Sequence, residues 1–263
     1  MSFQPVVTAI VGAALFLSGC GRNGGGDDGP TITEKLDVEA FDAIEIKGAA
    51  RLEITIGEPL SVVVSGRENA VRRVETRVSG DTLRIRSRAR DWAIRDGVSR
   101  LTFQITMPRL ESLELEGGND VNVVGFAGGD TKIRSSGAVN LNANGHLEKL
   151  KVRMSGAGHA DLSRLLANEA DVTVDGVGNV IVSPRDSLEA TMNGVGAIFY
   201  TGSPRQVKTR MNGLGTIGQR DSAPAPEAEP TKPVDPDELQ PEYEDPTKKK
   251  EEVDYKKDVT EVI

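Results

Sequence analysis

Six short glycine-centred motifs recur through the middle of the chain at an almost constant spacing. The first glycines of the last five motifs are 19, 20, 18 and 19 residues apart, and the first motif lies 20 residues before them. A fixed period near 20 residues is typical of repeat architectures, in which each unit packs mainly on its neighbours. The six motifs are Glu116-Gly117-Gly118-Asn119, Ser136-Gly137-Ala138-Val139, Ser155-Gly156-Ala157-Gly158, Asp175-Gly176-Val177-Gly178, Asn193-Gly194-Val195-Gly196 and Asn212-Gly213-Leu214-Gly215.

Apolar and polar residues alternate on both sides of each glycine. Mostly apolar side chains stand two and four residues before the glycine and four residues after it, as Val174, Val172 and Val180 do around Gly176. Alternation with period two predicts strands, and a glycine preceded by Ser, Asp or Asn predicts a corner, since Gly and Asn tolerate a positive φ.

Each unit is therefore predicted to be strand, corner and strand, which is too short to close a core alone. Stacked in register, such units give an all-β fold: a parallel β-solenoid with coils of about 19 residues over residues 34–220. The coils would lie about 4.8 Å apart. A β-sandwich with regular turns is the alternative, but it would not require one residue type at one position in six successive units.

The pattern continues toward the N terminus and then changes. Two earlier coils are predicted from the same offsets, one at Ile44, Ile46, Gly48, Leu52 and Ile54, the other at Val62, Val64 and Gly66. Between about residues 67 and 108 the register is lost. Residues 74–86 predict a β-hairpin that turns at Ser79-Gly80-Asp81, and residues 88–98, with Trp92, predict a loop or cap over an open end of the stack.

Both ends of the chain differ from the repeat. Residues 6–18 are mostly apolar but too short to span a membrane, so residues 1–19 are predicted to be a signal peptide. The run ends in Leu17-Ser18-Gly19-Cys20, which resembles the bacterial lipobox and implies a lipid on the Cys20 thiol. No Lys or Arg precedes the run, so an ordinary cleaved signal peptide is the alternative. Residues 20–33 predict a flexible tether, and residues 221–263, with 7 of the 13 prolines, predict a disordered acidic tail.

Charge and composition exclude several classes of function. The tail holds 14 acids and 6 lysines, whereas residues 1–220 hold 26 acids and 26 bases, so the net charge of −8 belongs to the tail. A neutral body argues against binding to nucleic acid. One cysteine and two histidines argue against a Cys/His metal site, and we expect no cofactor.

Several segments, in their order along the chain, resemble one bacterial family. They are Phe41-Asp42-Ala43-Ile44-Glu45-Ile46, Val78-Ser79-Gly80-Asp81-Thr82-Leu83-Arg84-Ile85, Ile105-Thr106-Met107-Pro108-Arg109-Leu110 and the Ser-Gly-Ala-Gly series. Together they look like the DUF2807 family, also called the putative auto-transporter adhesin head GIN domain, over about residues 38–218. The resemblance implies a right-handed β-helical domain in the cell envelope, often on a lipoprotein. It supplies no ligand and no catalytic residue.

Two outward-facing clusters are the candidate sites. The first follows the corners and could hydrogen-bond sugar hydroxyls, or Asp120, His159 and Asp161 within it could act as an acid/base group; its alternative is a structural asparagine ladder. The second could face an anionic polymer such as lipopolysaccharide; its alternative is a solvated face. The first cluster is Asp120, Asn122, Asn140, Asn142, His159, Asp161 and Asn179, and the second is Lys132, Arg134, Lys151 and Arg153.

The sequence predicts a non-catalytic lipoprotein of the cell envelope, anchored to the outer membrane, that acts as a scaffold or binds a surface protein or glycan. A carbohydrate-active β-helix enzyme is the alternative, and a filament built by end-to-end stacking is a third possibility. The membrane face and the oligomeric state stay open. A concave face from Asp120 to Asn179 would favour a ligand site, whereas a flat and mutually bonded ladder would favour a scaffold.

Overall fold

Strand is the dominant element of residues 29–87 and 101–220, the parts of the chain that the computed structural model describes. The only helix there is the four-residue α1, so no described helix is long and apolar enough to cross a bilayer. The elements are β1 (Thr31–Leu36), β2 (Ala43–Ile56), β3 (Ser61–Arg67), α1 (Glu68–Val71), β4 (Glu75–Ser79), β5 (Thr82–Arg86), β6 (Leu101–Met107), β7 (Ser112–Ala127), β8 (Asp130–Ser135), β9 (Ala138–Met154), β10 (Ala157–Val174), β11 (Val177–Met192), β12 (Val195–Tyr200), β13 (Gln206–Met211) and β14 (Leu214–Gln219).

From β7 onward the chain winds as a parallel β-solenoid. Each strand pairs in parallel with the strand one coil later, in the order β7, β8, β9, β10, β11, β12 and β14, and β13 pairs with β11. This register places equivalent residues of successive units side by side, as in Ala160 beside Val180 and Val180 beside Ile198. The predicted solenoid is thus confirmed, and the β-sandwich alternative is wrong.

The core lies inside the coils, in the predicted inward columns. Ala160, Val180 and Ile198 are each 0% exposed, and Val121 and Leu141 are 1% and 2% exposed. Full burial of a large apolar side chain stabilises a fold by about 1.5–3 kcal/mol. Each added coil buries several apolar side chains and is stabilised accordingly. The last described coil is the exception: no further coil among the described residues covers it, and Met211 is 41% exposed.

Close approach between coils, rather than a positive φ, requires glycine at most corners. A Cβ on Gly194 would lie 1.7 Å from the carbonyl oxygen of Gly176, and one on Gly213 would lie 1.8 Å from that of Gly194. Neither Gly194 nor Gly213 has a left-handed φ, whereas Gly117 does, at +107°. A Cβ on Gly117 would also lie 2.0 Å from the carbonyl oxygen of Gly48. Steric exclusion by the neighbouring coil therefore applies at all three of these corners, and the predicted reason, a positive φ, applies in addition at Gly117.

The order of coils in the stack differs from their order in the chain. β2 pairs in parallel with β7 on one edge, with Leu52 beside Val121, which confirms the first of the two earlier coils. On its other edge β2 pairs in parallel with both β5 and β6. The predicted loss of register between residues 67 and 108 is therefore wrong for β5 and β6, which form a further coil outside β2.

Antiparallel strands close the N-terminal end of the stack. β3 runs antiparallel to β6, so the prediction that Val62 and Val64 belong to a parallel coil is wrong, although both are buried. β1 runs antiparallel to β3 and begins at Thr31, inside the segment predicted as a tether.

The predicted hairpin is confirmed, since β4 pairs antiparallel with β5 and Ser79 lies opposite Thr82. Several predictions lie outside the described residues. They are the signal peptide of residues 1–19, the lipidated Cys20, the loop or cap with Trp92, and the tail of residues 221–263.

Candidate functional site

The seven residues of the first predicted cluster lie together on one outward face, which we call the polar face. Asp120, Asn140, His159 and Asn179 form one column in strict register, because each pairs with its equivalent on the next coil. Asn122, Asn142 and Asp161 form a second column beside it. Strands of one sheet lie about 4.8 Å apart, so the face presents a regular array of side chains.

The N-terminal half of the polar face is bonded to itself and to the preceding coil. Asp120 accepts hydrogen bonds from Arg51 through Nε at 3.2 Å and Nη2 at 2.9 Å. Asn140 donates to the other oxygen of Asp120 at 3.0 Å, and Asn122 donates to Glu53 at 3.0 Å. These side chains therefore form a bonded ladder, the arrangement that favours a scaffold.

Asp161 is held in its ionised form. Partial burial alone would raise its pKa, but the Ser163 hydroxyl at 2.6 Å and the Ser163 N–H at 3.0 Å both donate to its Oδ1. With the nearby His159 and Arg164, these hydrogen bonds lower the pKa of Asp161 overall. A general acid needs a raised pKa, so Asp161 is poorly suited to protonate a leaving group.

Three residues of the polar face keep their hydrogen-bonding groups available. Asn142, His159 and Asn179 are exposed, and within the described ranges their side chains make no hydrogen bond or ion pair. They stand on three consecutive coils. Each amide offers two donors and an acceptor, and neutral imidazole offers one of each. The capacity to bind a hydroxyl-rich ligand is thus concentrated at this C-terminal part of the face.

Phe199 extends the polar face and was missed from the sequence. Phe41, Phe103 and Phe126 are in the core, at 5%, 0% and 4% exposed, whereas Phe199 is half-buried at an outward position. It continues the column of Asp161 through Ile181. The signal was its offset, five residues after Gly194, which is the same as that of Asn142 after Gly137. Its apolar side chain set it apart from the polar residues at the equivalent positions.

The predicted basic patch lies on the strands before the corners, where neighbouring acids compensate its charge. Arg134 pairs with Glu114 at 2.9 Å and Arg153 with Asp175 at 2.8 Å. Lys151 pairs with Asp171, and only Lys132 has no ion pair within the described segments.

A shallow groove of about 540 Å³ runs along the same strands. Its lining has both signs of charge, so it does not form the positive surface that an anionic polymer would need. The charged residues of the lining are Glu111, Asp130, Lys132, Lys149, Lys151, Glu169, Asp171, Glu189 and Lys208. Across residues 29–87 and 101–220, no group of three or more His, Cys, Asp or Glu side chains is placed to hold a metal ion.

Stacked parallel coils with a polar outer face define a β-solenoid protein that presents repeated side chains to solvent. The chain belongs to the DUF2807 family, described as "Putative auto-transporter adhesin, head GIN domain", whose model matches residues 40–204. The resemblance noted from the sequence is thereby confirmed, and the adhesin-like description applies to the family as a whole.

Solved structures of putative adhesins are similar to this chain, and the first of those described here shares its fold. A crystal structure described as a putative adhesin from Bacteroides fragilis NCTC 9343 is 22% identical, covering 73% of this chain and 97% of that chain, with a TM-score of 0.56. A second, described as a putative adhesin from Parabacteroides merdae ATCC 43184, is 19% identical, covering 73% of this chain and 97% of that one, with a TM-score of 0.45. No curated protein matches the chain.

Proposed function

We propose that this protein is a non-catalytic, adhesin-like binding protein of the bacterial cell envelope that binds a hydroxyl-rich glycan on its polar face. The observation that carries the proposal is the group of exposed side chains on three consecutive coils, Asn142, His159 and Asn179, which make no side-chain hydrogen bond within the described residues. Sugar hydroxyls both donate and accept, as these side chains do. A ligand with a repeating structure matches an array that repeats from coil to coil.

Phe199 supports a glycan in particular. It stands one coil beyond Ile181 and shares its strand with Ala197, which lies beside Asn179. The small Ala197 leaves room next to the aromatic ring. Apolar faces of sugar rings pack on aromatic side chains, which combine a large apolar area with defined geometry. A glycan that bridges Asn179 and Phe199 would therefore use both kinds of contact.

The state of the two carboxylates supports binding without turnover. Asp120 is occupied by Arg51 and Asn140, and the lowered pKa of Asp161 keeps that side chain ionised. Glycoside hydrolysis generally requires a carboxylic acid that is protonated near neutral pH and a second carboxylate placed opposite to it. The family description, an adhesin head, agrees with a binding role.

A glycan-binding measurement with the full chain tests the proposal. Peptidoglycan fragments, lipopolysaccharide and capsular polysaccharides would be immobilised, and affinity measured by biolayer interferometry. We expect one of them to bind, and Asn142→Ala with Asn179→Ala to weaken that binding at least about tenfold, since a lost pair of hydrogen bonds is about 1–3 kcal/mol.

Gln206→Ala is the matched control, because it removes an exposed amide from the strands before the corner. An equal loss in this control, or no binding to any glycan of the panel, would show that the polar face is not the site. Depolymerisation of a bound polysaccharide would contradict the non-catalytic part of the proposal.

Anchoring to the envelope is part of the same proposal and rests on Leu17-Ser18-Gly19-Cys20. In a bacterial host, labelled palmitate is expected in the wild-type protein and in its membrane fraction, and neither is expected for Cys20→Ala. Cys20→Ala combined with Ser155→Cys restores a thiol at an exposed position and should stay unlabelled. Membrane association of Cys20→Ala without label would contradict lipid anchoring.

A further inference from the structure

The C-terminal end of the described stack is an open strand edge. The last described coil, residues 203–220 and here called the terminal coil, contains β13, which pairs with β11, and β14, which pairs with β12. On their outer side neither strand has a strand partner in the part of the chain that the structure describes. An open edge presents backbone N–H and C=O groups in the spacing that another strand would match.

The two ends of the stack are not equivalent. At the N-terminal end β3 covers β6, β1 covers β3 and β4 covers β5, all in antiparallel pairs. The outermost strands there carry exposed charges, among them Glu34, Lys35 and Arg77. Charged edge strands discourage further pairing. The parallel coil edge is therefore presented at the C-terminal end alone among the described strands.

Apolar side chains of the terminal coil are exposed although their equivalents one coil earlier are buried. Val207 and Met211 are each 41% exposed, whereas Leu188 and Met192, beside them in register, are 2% and 0% exposed. Val207 and Met211 thus continue columns of the core, and one more strand would cover them. Leu214, 74% exposed, instead continues an outward column, because Val195 beside it is also exposed, at 48%.

The terminal coil is also uniformly basic. Residues 203–220 contain Arg205, Lys208, Arg210 and Arg220 and no acid. Arg205 lies 3.6 Å from Asp186, and Arg210 lies 3.7 Å from Glu189 on the preceding coil, but their side chains stay 85% and 73% exposed. Lys208 and Arg220 have no ion pair among the described residues. A strand that covers this end would meet positive charge.

We propose that the terminal coil docks an acidic, alternately apolar strand of a partner protein, which adds to the stack by edge pairing. Backbone hydrogen bonds would give affinity, and the contacts with Val207 and Met211 and with the bases would give specificity. A second copy of this chain is a poor occupant, since two terminal coils would bring four bases against four. Head-to-tail stacking of copies meets the antiparallel cap instead. The site is separate from the glycan face.

Peptide binding to the full chain tests this proposal. The probe is a fluorescein-labelled peptide of four Glu-Val repeats, with four Lys-Val repeats as its control, and affinity is read from fluorescence anisotropy. The acidic peptide is expected to bind at least tenfold more tightly than the basic one, and more weakly as salt is raised, because salt screens exposed charges. Equal affinity, or no binding of the acidic peptide, would overturn the proposal.

Charge-reversal variants locate the site. Lys208→Glu with Arg210→Glu should weaken binding of the acidic peptide at least tenfold, whereas Lys35→Glu with Arg77→Glu at the capped end should leave it unchanged. Photo-crosslinking to the wild-type protein gives a second reading that does not depend on any variant folding. Crosslinks within residues 203–220 support the proposal, and crosslinks elsewhere contradict it. Concentration-dependent dimers through the same residues would also contradict the choice of partner.

Discussion

At the corners of the solenoid, the carbonyl oxygen of one glycine occupies the space in which the next coil would carry a Cβ. The contact recurs along two parallel columns: a Cβ on Gly176 would lie 1.8 Å from the oxygen of Gly156, and one on Gly196 would lie 1.9 Å from that of Gly178. Real Cβ atoms do not approach backbone so closely, and backbone of a paired strand has little room to move. The glycines therefore set how tightly successive coils stack.

Gly194→Ala should destabilise the fold by about 3 kcal/mol, the upper part of the range for overpacking a closely packed site. The new Cβ would meet the carbonyl oxygen of Gly176 at 1.7 Å. Gly57→Ala is the control, since nothing lies within 4 Å of its Cβ position and its φ is ordinary. Urea unfolding followed by circular dichroism measures both. Similar midpoints for the two variants would show that the corners relax without cost.

A buried amide in the core provides a site where a substitution is expected to stabilise the fold. Asn119 is 5% exposed, and its side-chain nitrogen and oxygen have no hydrogen-bond partner within residues 29–87 and 101–220. Ala50 and Val139 occupy the equivalent positions on the two neighbouring coils. An unsatisfied buried amide costs about 1–3 kcal/mol.

Asn119→Val is therefore expected to stabilise the protein by about 1 kcal/mol, since valine already fits this column one coil later. The measurement is the shift of the thermal midpoint relative to wild type. Asn140→Val is the control, because Asn140 is exposed and donates a hydrogen bond to Asp120. Its loss should give no stabilisation. A clear loss of stability in Asn119→Val would mean that this amide has a polar partner.

The lowered pKa of Asp161 makes the fold sensitive to acid. A carboxyl whose pKa is lower in the folded state stabilises the fold above its unfolded-state pKa of about 3.9, and that stabilisation disappears as pH falls through the lowered folded-state pKa. The cause is opposed burial and hydrogen bonding: burial raises the pKa, and Ser163 lowers it by more.

On acidification from neutral pH into the range where carboxyl groups are protonated, the free energy of unfolding should therefore fall less in Asp161→Asn than in wild type. Ser163→Ala should show a change in the same direction. Urea unfolding at a series of pH values gives the slopes. Glu169→Gln, which removes an exposed carboxylate from the same strand, is the matched control and should follow wild type. An unchanged slope in both Asp161→Asn and Ser163→Ala would contradict this assignment.

Among the elements, strand faces could be predicted from the sequence, but strand direction could not. β3 and β2 have the same alternation of buried and exposed residues, yet β2 runs parallel to its neighbours and β3 antiparallel. A period of two reports only that one face is buried, and both kinds of pairing satisfy it. For the same reason, the position of β2 in the sheet, between β7 and the coil of β5 and β6, could not be predicted from the sequence.

The candidate site shows a similar division. The polar face could be predicted from the offset of each residue relative to its corner glycine. The same repeat also places acidic side chains beside basic ones on the neighbouring coil, one period apart. Lys151 and Asp171, for example, are 20 residues apart and form an ion pair. The charge compensation of the basic patch could thus have been predicted from the period. Which amides bond to a neighbour and which stay available depends on side-chain geometry, which the period does not specify.

The terminal coil should be the least protected element of the described stack. None of the residues of β13 is buried, and β14 holds no buried residue either, whereas β10 contributes Ala160, Leu162 and Leu165 at 0% exposed. Local opening requires little free energy where few apolar contacts are lost. Hydrogen exchange followed by mass spectrometry should find peptides of β13 and β14 exchanging at least about 100-fold faster than those of β10. Equal protection would indicate that something covers this end.

For the molecule as a whole, β2 is the strand that joins the N-terminal end of the stack to the solenoid. β2 is paired along both edges, with β7 on one side and with β5 and β6 on the other. Among the strands that the structure describes, those of the terminal coil are paired along one edge only. Because each coil of a solenoid is stabilised mainly by its neighbours, the position of a coil determines how much its loss matters.

Removal of residues 203–220 should leave a folded protein whose thermal midpoint falls by a few degrees, since only one interface between coils is lost. Removal of β2 (Ala43–Ile56) should abolish cooperative unfolding, because two interfaces are lost and the cap is separated from the solenoid. Differential scanning calorimetry distinguishes these results. A cooperative transition that survives the loss of β2 would show that the coils before and after it fold independently.

The strict register of the columns also determines how such a protein can change in evolution. Duplication of one segment of about 19 residues within the stack would add a coil whose inward and outward residues join the existing columns. Insertion of a single residue would instead turn every later side chain of that strand to the opposite face. The polar face is therefore free to lengthen in steps of one coil, provided that each new coil inherits a glycine at its corner.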